Sequence, residues 1–414
     1  MRALLGVLIL MGGWMTAGAR PVCKPDFVEE TVRLLASDRM EGRGPGSDGL
    51  HLSLRTVAGQ FHELGLEPAH PEQSTPDDPL AGYLQPFETS TFPATANVIG
   101  IQRGRSDSSA RPFVILGAHA DHLGRDPELT GDQIYNGADD NASGVAALLG
   151  IARALAGHPA DRSILFIVFS GEEAGLLGSK HYTDHPVVPH DQVLAMINLD
   201  SIGRLRNDQV IVFGTKTARE FPAILDGLNS AFGFDLALRG EGAGASDHAS
   251  FFARNIPVLH FFTGPHEDYS QVSDEAEKIN YAGLQRVSNY VSELVRYLSY
   301  RVRPLTFVST GAEQAEKMAK MAEGPPRRVS LGFMPDFTAD SGGVKVGPVS
   351  AGGAAANAGI QTGDVIIAVD EDAVDTLVDY TAVLRQHVPG DAITVTLRRG
   401  DQTLTLSATL QERR

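Results

Sequence analysis

Three apolar runs without polar alternation mark the middle of the chain: Phe113 to Ala118, Ile164 to Phe169 and Val193 to Leu199. Runs of this length read as buried strands. Each one stops at residues able to hold a metal or move a proton. The first ends in His119, Asp121 and His122; the second leads through Ser170 and Gly171 into Glu172 and Glu173; the third ends at Asp200. A fourth junction, Tyr135-Asn-Gly-Ala-Asp139-Asp140-Asn-Ala-Ser-Gly144, opens the apolar stretch Val145 to Leu155, which reads as a helix. Amphipathic spacing predicts helices over Asp26 to Leu35, Gly49 to Leu64 and Tyr281 to Tyr300. Asn97 to Arg103 reads as a strand, and residues 67–86, rich in proline and acids, as a loop.

An acidic turn before a helix is by itself only a cap. Four strand and loop ends that all deliver His, Asp or Glu are harder to assign to chance, because open α/β sheets bind ligands beyond the carboxyl ends of their strands. The donors are nitrogen and oxygen without sulfur, which suits zinc or a similar divalent ion. Several carboxylates suggest two ions sharing one of them. Neighbouring side chains such as Glu172 and Glu173 leave a strand in different directions, so one can bind metal while the other faces a water.

These motifs, in this order, resemble the co-catalytic di-zinc aminopeptidases of bacterial leucyl-aminopeptidase type, whose relatives include glutamate carboxypeptidases and glutaminyl cyclases. The resemblance runs from Leu34-Leu-Ala-Ser-Asp-Arg-Met-Glu-Gly-Arg-Gly44 to about Leu298. It takes in Ser246-Asp247-His248 and Phe261-Phe-Thr-Gly-Pro-His266-Glu-Asp-Tyr269-Ser270-Gln-Val-Ser-Asp274. It implies an α/β fold, the phosphorylase/hydrolase-like open mixed sheet flanked by helices. It makes His119 and Asp200 ligands of one zinc, Asp140 the bridging carboxylate, Glu173 a ligand of the other ion and Glu172 the general base. Asp121 would orient His119, and Tyr269 would support the oxyanion. Asp139 is the less suited of its pair to be a ligand. The family pattern places a histidine where Ser270 stands, so two zinc ions are expected with the second held weakly; His266, four residues earlier, is no evident substitute, because the family commonly carries a histidine there beside the usual ligand.

Beyond residue 328 the composition changes. Residues 310–328 read as a linker ending in Gly324-Pro-Pro-Arg-Arg328, and residues 329–411 are rich in Gly, Ala and Val with short strands at Ala392 to Leu397 and Thr403 to Leu410. Leu331-Gly332-Phe333 and the run Ala358-Gly-Ile-Gln-Thr-Gly-Asp-Val-Ile-Ile367 resemble a bacterial PDZ domain, a small C-terminal β domain. That resemblance implies that Leu331, Gly332 and Phe333 receive a peptide or protein C-terminus, with the peptide added as an extra strand.

Composition narrows the classes of partner. With 414 residues the chain is long enough for two cores, and a formal charge of −16 argues against nucleic acid or an anionic membrane surface. Residues 1–19 read as a cleaved secretory leader: Arg2, the apolar stretch to Met15, then Ala17-Gly18-Ala19. The stretch is too short to span a bilayer comfortably. The expected protein is therefore exported, periplasmic or extracellular, with a peptidase domain over 20–309. The activity expected is that of a zinc exopeptidase, foremost an aminopeptidase on peptide substrates. The alternatives are a carboxypeptidase or a cyclase-like acyl transferase working with one metal, and a catalytically weakened protein that acts through its PDZ domain.

Overall fold

The buried strands line up side by side because each needs cover on both faces and pairing on both edges. In the computed structural model, which describes residues 22–90, 92–105, 112–309, 328–336, 342–350 and 352–412, nine strands form one sheet. In chain order they are β1 (Glu67–Pro68), β2 (Leu84–Phe87), β3 (Thr95–Gln102), β4 (Phe113–His119), β5 (Ile164–Phe169), β6 (Val193–Leu199), β7 (Gln209–Phe213), β8 (Asp235–Leu238) and β9 (Val258–Phe262). The spatial order is β1-β3-β5-β4-β6-β9-β7-β8, with β2 pairing along the same edge of β3 as β1. The centre, β5-β4-β6-β9, is parallel, and β3 and β7 run against it. His119 pairs with Phe169 and Phe261 with Leu199, so β4, β5, β6 and β9 end together at one edge.

Alternate residues of each strand feed two cores. Phe166 and Val168 of β5 join one, with the helices α1 (Pro25–Leu35), α2 (Asp48–Glu63), α3 (Gly144–Leu155) and α7 (Tyr281–Tyr300). Leu165, Ile167 and Phe169 join the other, with Tyr182 of α4 (Leu177–Asp184) and Phe251 of α6 (His248–Phe252). The remaining helix, α5 (Phe221–Asn229), buries Phe221 and Leu225 in the first core. The layers are helix, mixed sheet, helix, as the zinc-exopeptidase resemblance implies. α3 is buried over ten of its twelve residues, and α7 buries Leu284, Val287, Val291, Leu294 and Leu298 at helical spacing.

The 67–86 stretch is not all loop. It ends in β2, whose Pro86 lacks a donor and is tolerated because the strand lies at the edge. The expected leader over 1–19 and the linker over 310–328, apart from Arg328, lie outside the described residues.

Residues 329–412 carry a separate core around Ile366, Val369, Leu384, Val395 and Leu397. Its antiparallel strands β10 (Phe333–Pro335), β11 (Val344–Val349), β12 (Val365–Val369), β13 (Ala392–Arg399) and β14 (Gln402–Thr409) follow one another in space in chain order. Two helices complete it, α8 (Ala354–Ala358) and α9 (Leu377–Leu384). A capping box between Thr376 and Asp379 starts α9.

Candidate metal centre and peptide groove

The acidic residues meet at the carboxyl edge of the parallel strands. His119, the last residue of β4, is 1% exposed, and its Nε2 lies 3.5 Å from Asp140 Oδ1 and 3.4 Å from Asp200 Oδ1. The other oxygen of Asp140 faces a second group. His122 Nδ1 lies 3.9 Å from Asp140 Oδ2 and 2.9 Å from Glu173 Oε1. His119-Asp140-Asp200 and His122-Asp140-Glu173 are thus two triads sharing Asp140. Zinc bonds of 2.0–2.1 Å in tetrahedral geometry set ligand atoms about 3.3 Å apart. The His119 spacings of 3.4 and 3.5 Å lie just above that value, and the His122 spacings of 2.9 and 3.9 Å fall on either side of it.

Loops hold these groups in place through their backbones. The Asp140–Asn141 peptide is cis, and the segment Ala138–Ser143 is knotted by its own side chains. Asn141 Oδ1 accepts from Gly144 N and Ser201 N, while its Nδ2 donates to Leu199 O, which ties the start of α3 to the end of β6. Asp274 Oδ2 accepts from the N–H groups of Asp139 and Asp140 at 2.8 and 3.2 Å. Asp200 Oδ2 accepts from Ser246 Oγ at 2.7 Å, which leaves Oδ1 turned to His119. Asp121 accepts from Glu172 N and Glu173 N, both at 3.1 Å. The nearer partner of the His119 Nδ1 is the Asp121 carbonyl at 3.2 Å, against 3.9 Å for the carboxylate. Asp121 therefore fixes the turn of the two glutamates and touches His119 through its backbone.

Arg43, 1% exposed, closes the arrangement from below. Its guanidinium donates to the carbonyls of Ala120, Leu35, Asn136 and Gly137 at 2.6–2.8 Å, so one side chain joins the loop after β4 to the loop before α3. Burial lowers its pKa to about 10, against the pull of Asp140, Asp274 and Asp121. Gly137, at φ +55°, leaves room for the same junction. A Cβ there would sit 2.5 Å from the His122 ring and 2.2 Å from the Asp140 carbonyl oxygen.

The electrostatics call for cations. Burial, Glu173 and Asp200 push Asp140 well above the usual carboxylate range. Burial, Glu173, Asp247 and Asp200 do the same to Glu172, which belongs to neither triad. Burial opposes charge on Glu173 most strongly, yet the His122 hydrogen bond and the pull of His122 and His119 together lower that carboxyl. Such a crowd of carboxylates is relieved by divalent ions placed between them. The donor set, imidazole and carboxylate in both triads, fits zinc. Tyr269 stands near the same four acids; burial first, then Asp140, Asp200, Glu173 and Glu172, hold its phenol protonated.

His266 is turned elsewhere: its Nε2 lies 3.1 Å from Asp139 Oδ2, and Asp139 also accepts from Gly203 N at 2.6 Å. Neither residue is in a triad. Ser270 is half-buried at φ 55° and offers only a hydroxyl. His122, three residues after His119 on the same strand exit, is a metal-type donor in the sequence but receives no ligand role from the family pattern. Arg43 carries no role in the sequence pattern, because its partners are backbone carbonyls that no motif records.

In the second domain, Leu331 and Gly332 precede β10. Leu331 is buried and its carbonyl accepts from Ala355 N, while the Gly332 N–H donates to Ser330 Oγ at 2.9 Å. Gly332 adopts φ +74°, which suits glycine in a turn this tight. The Phe333 ring packs against α9, its centroid 5.5 Å from that of Tyr380.

Residues 97–295 match the peptidase family M28, and residues 329–410 match the PDZ domain. Aminopeptidase YwaD of Bacillus subtilis is 28% identical over 244 residues, covering 56% of this chain and 50% of the relative. Leupeptin-inactivating enzyme 1 of Streptomyces exfoliatus is 33% identical over 153 residues, covering 36% and 34%. The chain thus spans half or less of the length of these curated relatives. Among solved structures, a zinc aminopeptidase from Bacillus subtilis aligns with TM-score 0.54 at 18% identity, over 67% of this chain and 95% of that one. The LapA aminopeptidase of Legionella pneumophila aligns with TM-score 0.54 at 21% identity, over 68% and 72%. At these identities the structural likeness concerns the fold. The triad residues and Glu172 all fall inside segment 97–295, the part of the chain that matches peptidase family M28, and a match to the PDZ domain follows it.

Proposed function

We propose that the protein is an exported zinc aminopeptidase that removes N-terminal residues from peptides. The observation that carries this reading is the pair of triads joined by Asp140, with the unassigned carboxylate of Glu172 next in the chain to a triad member. Zinc bound there would polarise the scissile carbonyl and acidify a water. Glu172 would take the proton of the attacking water and pass it to the leaving amine. Asp121 supports this division of labour by anchoring the backbone of both glutamates. Tyr269 keeps its proton and donates it in a hydrogen bond to the oxyanion. The relatives named aminopeptidases support the amino-terminal direction of attack. Arg2, the apolar stretch after it and Ala17-Gly18-Ala19 support export. The PDZ domain would add a site for a peptide C-terminus along β10.

Zinc-loaded protein should hydrolyse a leucyl anilide and leave its N-acetylated counterpart intact, and a chelator should abolish the activity. Turnover confined to a C-terminal dipeptide probe, or none on any probe, would reject the aminopeptidase reading.

A further inference from the structure

We propose that His122 completes the second metal site, in the place that Ser270 leaves without an imidazole. The inference rests on the zinc-peptidase reading of the centre and says which residue makes its second half work. The Ser270 hydroxyl stays protonated near neutral pH and is a poor zinc ligand. His266 is engaged with Asp139. His122 alone among these offers a ring nitrogen to the two carboxylates that the second ion would share, Glu173 Oε1 at 2.9 Å and Asp140 Oδ2 at 3.9 Å.

The ring is placed for this and not merely nearby. It is fully buried, and the bare Cα of Gly137 accommodates its Cδ2 edge. The His122 N–H donates to the Arg43 carbonyl at 3.1 Å, and the Arg43 guanidinium holds Ala120 and Gly137 on either side. Among the described residues its Nε2 meets no hydrogen-bond partner, while Nδ1 is the nitrogen directed at the acids. With His122 counted, each ion receives one imidazole, one carboxylate of its own and one oxygen of Asp140, three protein ligands in each case. That is the number found in open, catalytic zinc sites. Without His122 the second ion would have two.

The competing role for His122 is to donate a hydrogen bond to Glu173 and so orient that ligand. His122→Asn separates the two, because its amide N–H keeps a donor near the Nδ1 position while a neutral amide binds zinc poorly. Metal-free full-length protein is titrated with zinc by calorimetry, and metal per chain is counted by elemental analysis after dialysis. Wild type should hold two ions. His122→Asn should hold one and bind the second more than ~100-fold more weakly, beyond the 10–100-fold typical of residues that only orient a ligand. The double variant His122→Asn/Ser270→His should regain the second ion. Should His122→Asn fail to fold by circular dichroism, X-ray absorption of the wild type decides, with an average of one imidazole per zinc expected. Two ions retained in His122→Asn within ~10-fold of wild-type affinity would overturn the inference. So would a single ion in the wild type, or half an imidazole per zinc; these leave a peptidase with a different or a single metal site. Wild type binding no zinc at all would overturn the peptidase reading as well.

Discussion

Glu172 and Glu173 are adjacent in the chain, yet only one of them reaches a triad, because the turn that carries them hangs on both oxygens of the buried Asp121. That geometry separates binding from proton transfer. Glu172→Gln should therefore keep wild-type zinc content and lower kcat by at least ~100-fold, the usual scale for loss of a general base. Steady-state kinetics with metal analysis on the same sample checks both halves; lost zinc with unchanged turnover per ion would reverse the roles of the two glutamates. His119, Asp140, Glu173 and Asp200 could be picked out in the sequence because each sits where an apolar run stops or an apolar helix begins. His122 could not be assigned in the same way. It lies three residues into a loop, and a loop side chain points where distant contacts send it, here the Gly137 backbone and the carbonyl of Arg43.

At the scale of elements, the strands and helices with unbroken or regularly spaced apolar residues were legible almost to the residue. β5 and α7 have the bounds their patterns predict, and α3 begins one residue earlier, at Gly144. Short pieces such as β7 and β8, five and four residues long, carry too little pattern to stand out and are defined by their partners in the sheet. Least legible was how the loops are locked together. Arg43 reaches carbonyls 77 to 94 residues away, and burying a guanidinium there is compensated by four acceptors. Arg43→Met preserves the volume and strands those carbonyls. It should destabilise the peptidase domain by on the order of 3 kcal/mol and weaken zinc binding at both triads. Arg43→Lys should recover little, since one ammonium cannot span two loops. Denaturant melts and zinc titrations of the two variants test this; a melt like that of the wild type would show that Arg43 is not a clamp.

Over the whole molecule, the described residues hold separate bodies of core, one built around the nine-stranded sheet and one within residues 329–410. Separate cores should melt as separate calorimetric transitions, and the second contains a pH-sensitive tie of its own. Asp364, 1% exposed, accepts from Arg399 Nε and Nη2 at 2.7 Å each and from Gln361 N at 2.8 Å, which joins the turn before β12 to the end of β13. The Arg399 hydrogen bonds hold its carboxyl below the usual range. The unfolded chain, with an aspartate near pKa 3.9, then takes up protons at a higher pH than the folded domain does. Stability from this pair is fully present above about pH 5 and is lost as the pH falls through the depressed folded value. The transition of the PDZ domain should accordingly stand higher in wild type than in Arg399→Met at pH 6. The gap should narrow as the pH falls below about 4 and close once the pH has passed the depressed folded value, where Asp364 is protonated in both states. Scanning calorimetry of full-length wild type and variant at a series of pH values measures that gap. A constant difference across the acid range would mean that Arg399 supports the domain by packing its stem rather than by binding the ionised Asp364.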